Sequence, residues 1–224
     1  MTNMRRLLRH SAFAFGTCFV AIALLGSAPA SAQTIIDEWA RVKPPAPPEL
    51  QPVTIDAKDT ALLLLDFAGA QDPTKGPCNK NTKPRCLASI PAVQKLLAEA
   101  RAKGLLVVYS LSGNSTTADI ATATAPHATD PWVKSGADKF LGTDLEKILA
   151  GKGIKTVIVT GTASEGAVLV TATGAALRGM NVIVPVDGIS STDLYAEQYV
   201  AWHLTHAPGV APKTTLTRID MIKF

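Results

Sequence analysis

The sequence predicts an α/β domain built on a mostly parallel sheet with helices on both faces. Three observations carry that reading. Short apolar runs at residues 62–65, 105–110, 156–160 and 182–186 read as strands buried on both faces. Segments with helical periodicity and capping residues lie between them. The runs end at Asp66, at the glycine turn 161–166 and at Asp187, where open parallel sheets collect their ligands.

The chain opens with a targeting pattern. Arg5, Arg6 and Arg9 precede an apolar run over residues 12–25, and Ala30-Ser31-Ala32 supplies small residues for a signal peptidase. The run is short of the roughly 20 apolar residues a spanning helix needs. Residues 1–32 are therefore read as a cleaved signal peptide, which places the chain in the periplasm or outside the cell, with no membrane attachment after cleavage. Residues 33–60 form an extended lead-in, because Pro44, Pro45, Pro47 and Pro48 favour a polyproline strut that wraps or tethers the domain. Residues 61–224 form the domain itself.

Within the domain, four leucines at 62–65 make the first buried strand, and a polar loop follows Asp66. Ser89 as cap and Pro91 in the first turn open a helix. Its apolar face holds Val93, Leu96, Leu97 and Ala100, and it stops at Gly104. The second strand ends at Ser110. Residues 111–133 lack periodicity and read as a long loop over one end of the sheet. Thr143 and Glu146 read as a capping box for a helix that buries Leu145, Ile148 and Leu149. After the third strand, Ser164 reads as a helix cap with Glu165 in the first turn, and Arg178-Gly179 closes that helix. A strand at 182–186, a helix from about 193 to 206 and a strand near 214–219 complete the pattern.

The whole chain carries a net charge of +4. Without residues 1–32 it holds 19 basic against 18 acidic residues, or +1, since Arg5, Arg6 and Arg9 are the segment's only charged residues. No basic cluster interleaved with aromatics remains, so nucleic-acid binding has no electrostatic footprint. Cys78 and Cys86 flank a short Pro- and Lys-rich loop, which in an oxidising compartment reads as a disulfide. A metal pair or a catalytic thiol is the alternative, without a neighbouring His to support it. His127, His203 and His206 show no common spacing with a carboxylate, so neither a metal nor another cofactor is expected.

Asp66 is the residue that draws attention on position alone. A carboxylate directly behind four leucines is poorly solvated, and its proton affinity depends on whether a cation lies near. The structural alternative is a helix cap or a buried hydrogen-bond anchor.

Three blocks in order resemble the isochorismatase-like, or cysteine hydrolase, superfamily. They are residues 62–67, residues 134–145 with Phe140-Leu141-Gly142-Thr143-Asp144-Leu145, and the turn 160–168; Val184-Pro185-Val186-Asp187 adds a fourth match. The resemblance implies a three-layer α/β/α hydrolase with a doubly wound sheet. It aligns Asp66 and Lys134 with a catalytic pair, Lys139 one turn away being the other lysine that fits. It implies a cis peptide at Thr162–Ala163 and a substrate surface formed by Thr162, Ala163, Glu165 and Gly166.

The same alignment places Ala167 where thiol members carry the attacking cysteine. A methyl group forms no acyl intermediate, so the usual amide hydrolysis is closed. True isochorismatases, as the resemblance has it, also lack the thiol and use an Asp/Lys pair to protonate a vinyl ether. The expected function is thus hydrolysis of a small polar molecule by Asp66 and Lys134. The alternative is an inactive relative that binds a small ligand or a protein partner in the same pocket. The resemblance leaves a homo-oligomer open.

Overall fold

Six short strands stack side by side in one sheet, successive strands being joined by a helix or crossover, and the chain builds outward first on one side of the central strand and then on the other. The computed structural model describes residues 34–224. The signal peptide expected at 1–32 lies outside those residues. The chain divides into two units, Met1–Pro44 and Pro45–Phe224. Within the first, the described part is one short helix, α1 (Ile35–Glu38), followed by a 3-10 turn at Trp39–Arg41.

The second unit holds β1 (Val53–Thr54), β2 (Thr60–Leu65), α2 (Pro84–Ala102), β3 (Leu106–Leu111), β4 (Trp132–Lys134) and α3 (Leu145–Gly151). It continues with β5 (Thr156–Thr162), α4 (Leu169–Leu177), β6 (Asn181–Pro185), β7 (Ile189–Ser190), α5 (Leu194–His206), β8 (Thr214–Thr217) and β9 (Ile222–Lys223). The main sheet runs β4-β3-β2-β5-β6-β8, with β7 added beside β5, and all of its pairings are parallel. β1 and β9 form a separate parallel pair, so the lead-in is tied to the end of the chain.

Strand β2 lies at the centre and is buried along its whole length. The pleat sends alternate residues to opposite faces. Ala61, Leu63 and Leu65 join a core with residues of α3, α4 and α5, including Leu145, Leu149, Ala172, Val200 and Leu204. Leu62 and Leu64 join a second core against Val93, Leu96, Leu97 and Ala100 of α2. A sheet covered on both faces by helices is the expected three-layer α/β architecture.

Several local expectations are corrected. Helix α2 begins at Pro84, and Ser89 lies inside it, its hydroxyl donating to the Cys86 carbonyl at 2.8 Å. Pro84 supplies the fixed φ of a first turn, so the Pro91 start is pre-empted and Pro91 sits within the helix. Thr143 and Glu146 form no capping box. The Thr143 hydroxyl accepts from the Leu145 N–H at 3.2 Å, and Glu146 instead pairs with Arg178 at 3.0 Å. Ser164 caps nothing; its side chain is buried and the turn it opens is a π-helical one, Ser164–Val168. The loop expected over residues 111–133 holds only short 3-10 turns until its last two residues, which open the edge strand β4, too short to leave a periodic signature.

Cys78 and Cys86 are bonded, as the loop composition suggested, and both are fully buried. The bond fastens the loop after β2 to the first turn of α2. Replacing both cysteines by serine is expected to cost about 2–3 kcal/mol by the loop-entropy argument. Urea unfolding of the two proteins would measure it. An unchanged midpoint would show that the loop is held without the bond.

Candidate active site

The site begins where β2 stops. Asp66 has a left-handed backbone (φ 59°), rare for a residue with a side chain, and its N–H donates to the Ser110 carbonyl at 3.1 Å. Leu65 pairs in register with Ser110 on one side and Gly161 on the other. Asp66 therefore leaves the sheet between the ends of β3 and β5. Its side chain is 5% exposed and meets two donors. The Ser110 hydroxyl donates to Oδ1 at 2.8 Å, and the Lys139 ammonium donates to Oδ2 at 2.7 Å.

Lys139 comes from the segment between β4 and α3 and is fully buried. Its Nζ also donates to the Gly136 carbonyl at 2.8 Å and to the Ser135 carbonyl at 3.4 Å. All three ammonium hydrogens thus have protein acceptors. The segment is drawn inward by Phe140, whose ring packs against Gly174 of α4 and lies 4.3 Å below the Arg178 guanidinium. Thr171 of α4 accepts from the Lys139 N–H at 3.4 Å, and the Thr143 hydroxyl donates to the Lys139 carbonyl at 2.5 Å. These contacts explain why the Phe-x-Gly-Thr-x-Leu block fixes the lysine's direction.

Lys134 is not the partner. It ends the edge strand β4, where Val133 points inward and both neighbours point outward, so the pleat turns its side chain to solvent. There it lines an open cleft of about 370 Å³ with Trp132, Thr143 and Ile148. The alternative named from the resemblance, Lys139, is the lysine that reaches Asp66. Ser110 was missed by sequence reasoning. The signal was present: it is a lone polar residue late in an apolar strand, in register with the residue before Asp66.

Burial raises the Asp66 pKa above its ordinary value of 3.8, and the Lys139 charge and the two donated hydrogen bonds oppose that rise without cancelling it. The carboxyl accordingly keeps its proton to a higher pH than a solvated aspartate.

The third wall of the site descends from β5. Gly161 has φ 140°, and a Cβ there would stand 2.3 Å from the Leu65 carbonyl oxygen. The backbone of β5 can therefore approach the root of Asp66 only without a side chain. A Gly161→Ala substitution is expected to destabilise by more than about 1 kcal/mol, because the φ and the clash both oppose it. Thermal unfolding would read it, and a wild-type melting point would contradict the packing described.

The Thr162–Ala163 peptide is cis, as the resemblance implied. The Ala163 carbonyl accepts from the Gly166 and Val168 N–H groups at 3.1 and 3.3 Å, closing the π turn. Thr162 is buried, its hydroxyl donating to the Ser190 carbonyl at 3.1 Å, and Ala163 and Gly166 are half-buried. Glu165 faces solvent. Ala167 is 4% exposed and belongs to the core on the α3–α5 side, so its methyl group completes packing.

Asp187 is an anchor: Oδ1 accepts from the Ile219 N–H at 3.0 Å. His203 and His206 lie on α5 beside aromatic rings, His206 stacked on Trp202 at 4.8 Å. Among the described residues no group of three or more His, Cys, Asp or Glu is placed to hold a metal. No described helix is long and apolar enough to cross a membrane.

Solved structures share this architecture. A cysteine hydrolase from Pseudomonas syringae pv. phaseolicola matches with a TM-score of 0.64 at 19% identity, covering 77% of this chain and 94% of that one. An N-carbamoylsarcosine amidase from Thermoplasma acidophilum matches at 0.59 and 22%, covering 72% and 97%. A nicotinamidase from Staphylococcus aureus matches at 0.61 and 18%, covering 72% and 99%. At these identities the likeness establishes the fold. None of the curated proteins matches the chain. The family model described as the isochorismatase domain matches residues 60–216, a span that includes Asp66, Ser110, Lys139 and Ala167, and the chain belongs to that family.

Proposed function

We propose that this protein is an exported hydrolase that acts on a small polar substrate by acid catalysis at Asp66, with Lys139 as its partner and no covalent intermediate. The observation that carries the reading is the buried 2.7 Å pair of Asp66 and Lys139. The structural relatives include amide hydrolases by name, yet among the described residues both cysteines, Cys78 and Cys86, are bonded to each other, which leaves no thiol there for the covalent step of that chemistry. A vinyl ether needs less. Protonated Asp66 delivers its proton to the terminal vinyl carbon, and the charge that develops on the ether carbon is quenched by water. The resulting hemiketal loses the alcohol to leave a carbonyl, and the proton released by the attacking water returns to the Asp66 carboxylate.

Lys139 in this scheme positions the carboxyl and sets its proton affinity. It also stabilises the carboxylate left after proton transfer. The turn after β5 offers the substrate its surface through the half-buried Ala163 and Gly166 and the exposed Glu165, while Thr162, expected in that surface, lies buried behind them. Screening the protein on vinyl ethers, esters and amides, with Asp66→Asn beside it, tests the proposal. Turnover of a vinyl ether that is lost in Asp66→Asn supports it, and turnover that survives in the variant overturns it.

A second reading is favoured by one observation. Every hydrogen of the Lys139 ammonium is already committed to a protein oxygen, as expected of a fastening rather than a substrate contact. On that reading the domain binds a small molecule or a partner without turning it over. Turnover of no substrate class, with a ligand-induced rise in melting temperature that Asp66→Asn leaves intact, would decide for it.

A further inference from the structure

The end of the sheet opposite Asp66 carries a polar row that the proposed reaction does not use. Thr60 opens β2, and in register beside it stand Thr156 of β5 and Asn181 of β6. Residues in register on neighbouring parallel strands point to the same face, so these three side chains lie side by side. Thr215 of β8, in register with Ile183, joins that face two positions further along. Leu62, Ile158 and Ile183, each two residues after a member of the row, belong to the core on the α2 side. At its lower end that core therefore gives way to hydroxyl and amide groups.

The four side chains line a cavity of about 320 Å³, a volume at the small end of ligand sites, and residues 53–56 complete its lining. Thr60 is 1% exposed, and its hydroxyl is buried with no hydrogen-bond partner among the described residues. A buried hydroxyl in that state costs stability until a partner completes it. The backbone of β1 adds a second unfilled pair. The Ile55 N–H donates to the Lys223 carbonyl of β9 at 3.0 Å, so alternation turns the N–H and C=O of Thr54 to the opposite edge.

We propose that this cavity is a binding site for a small, uncharged, hydroxyl-rich molecule of monosaccharide size. The lining chemistry selects that class. Threonine hydroxyls, the Asn181 amide and the Thr54 peptide each offer both a donor and an acceptor, as every sugar hydroxyl does. The charges in the lining cancel, because Asp56 contributes a carboxylate and Lys213 an ammonium. A phosphate would meet repulsion from Asp56, whereas a neutral polyol can use both groups as hydrogen-bond partners. Thr60 and Asp66 stand at opposite ends of β2, about 20 Å apart by the rise of a strand. The site is therefore independent of the catalytic reading.

Amide chemical shifts of the isotope-labelled protein, titrated with D-ribose, D-glucose, sodium phosphate and glycine at matched ionic strength, test the proposal. Saturable shifts at Thr60, Thr156 and Asn181 are expected with a sugar at millimolar concentration. Thr60→Val and Asn181→Ala should each weaken that binding about tenfold, the worth of one good hydrogen bond. Thr60→Val keeps the shape and removes only the unpartnered hydroxyl, so its melting temperature should equal or exceed that of the wild type. A threonine that merely fastens the fold would give the reverse, a lower melting temperature with binding intact. No shift with either sugar, binding of phosphate or glycine in their place, sugar binding that survives Thr60→Val, or a destabilised Thr60→Val protein would each overturn it.

Discussion

Replacing Lys139 by methionine is expected to cost about 3–5 kcal/mol of folding stability at neutral pH, one of the largest effects of any single substitution in this domain. The size follows from what is left behind. Methionine fills most of the volume, so the loss is not a cavity. It is an Asp66 carboxylate, 5% exposed, whose cation has gone while its desolvation remains. The cost should shrink as the solution is acidified, because the stranded carboxyl takes up a proton and the buried charge disappears. The converse comparison separates the pair's net worth from the penalty of breaking it. Asp66→Leu combined with Lys139→Met removes both charges, and that protein should be much more stable than Lys139→Met alone. Urea titrations of the three variants measure both quantities. A near-neutral Lys139→Met would mean that the ammonium is not needed to hold the carboxylate.

The second large effect is catalytic. Asp66→Asn keeps the shape and the acceptor for Ser110 but cannot donate a proton to carbon, so turnover should fall by about 10²–10⁴, the usual contribution of a positioned acid. The sign of the pH dependence follows from the raised pKa of Asp66. A carboxyl with a higher pKa in the folded chain binds its proton more tightly there than when unfolded. Its contribution to stability is complete below 3.8, the ordinary value, and is lost as pH rises through the folded pKa. The acid-catalysed rate should decline over the same interval, because the reactive form is the protonated one. In Asp66→Asn both slopes vanish together. A rate that rises with pH would instead identify Asp66 as a base.

Much of this site was legible in the residues, and the part that was not has identifiable causes. Four consecutive leucines ending in an aspartate specify a central strand and a carboxylate at its mouth, because only a strand covered on both faces hides such a run. The glycine turn after β5 announced a close approach, and Gly161 shows its reason in the Leu65 carbonyl. The choice between Lys134 and Lys139 was not legible. It depends on the pleat of a three-residue edge strand and on Phe140 drawing the segment under Arg178, both of them tertiary facts. Ser110 escaped because its partner lies 44 residues away along the chain and only the strand register brings them together. Ser164 looks like a helix cap in any local reading, yet the turn there is π-helical and the hydroxyl is buried.

Ala167 is 4% exposed. Its methyl group packs into the core on the α3–α5 side. Ala167→Cys adds one sulfur at a tightly packed place next to Val168.

The physical core of the account is that burial outweighs a neighbouring ammonium, leaving Asp66 able to hold and release a proton. Titration of the Asp66 carboxyl carbon by NMR in the intact protein measures that directly. A midpoint above 3.8 is expected, whereas a midpoint at or below 3.8 would show a permanently ionised anchor and contradict the proposed acid.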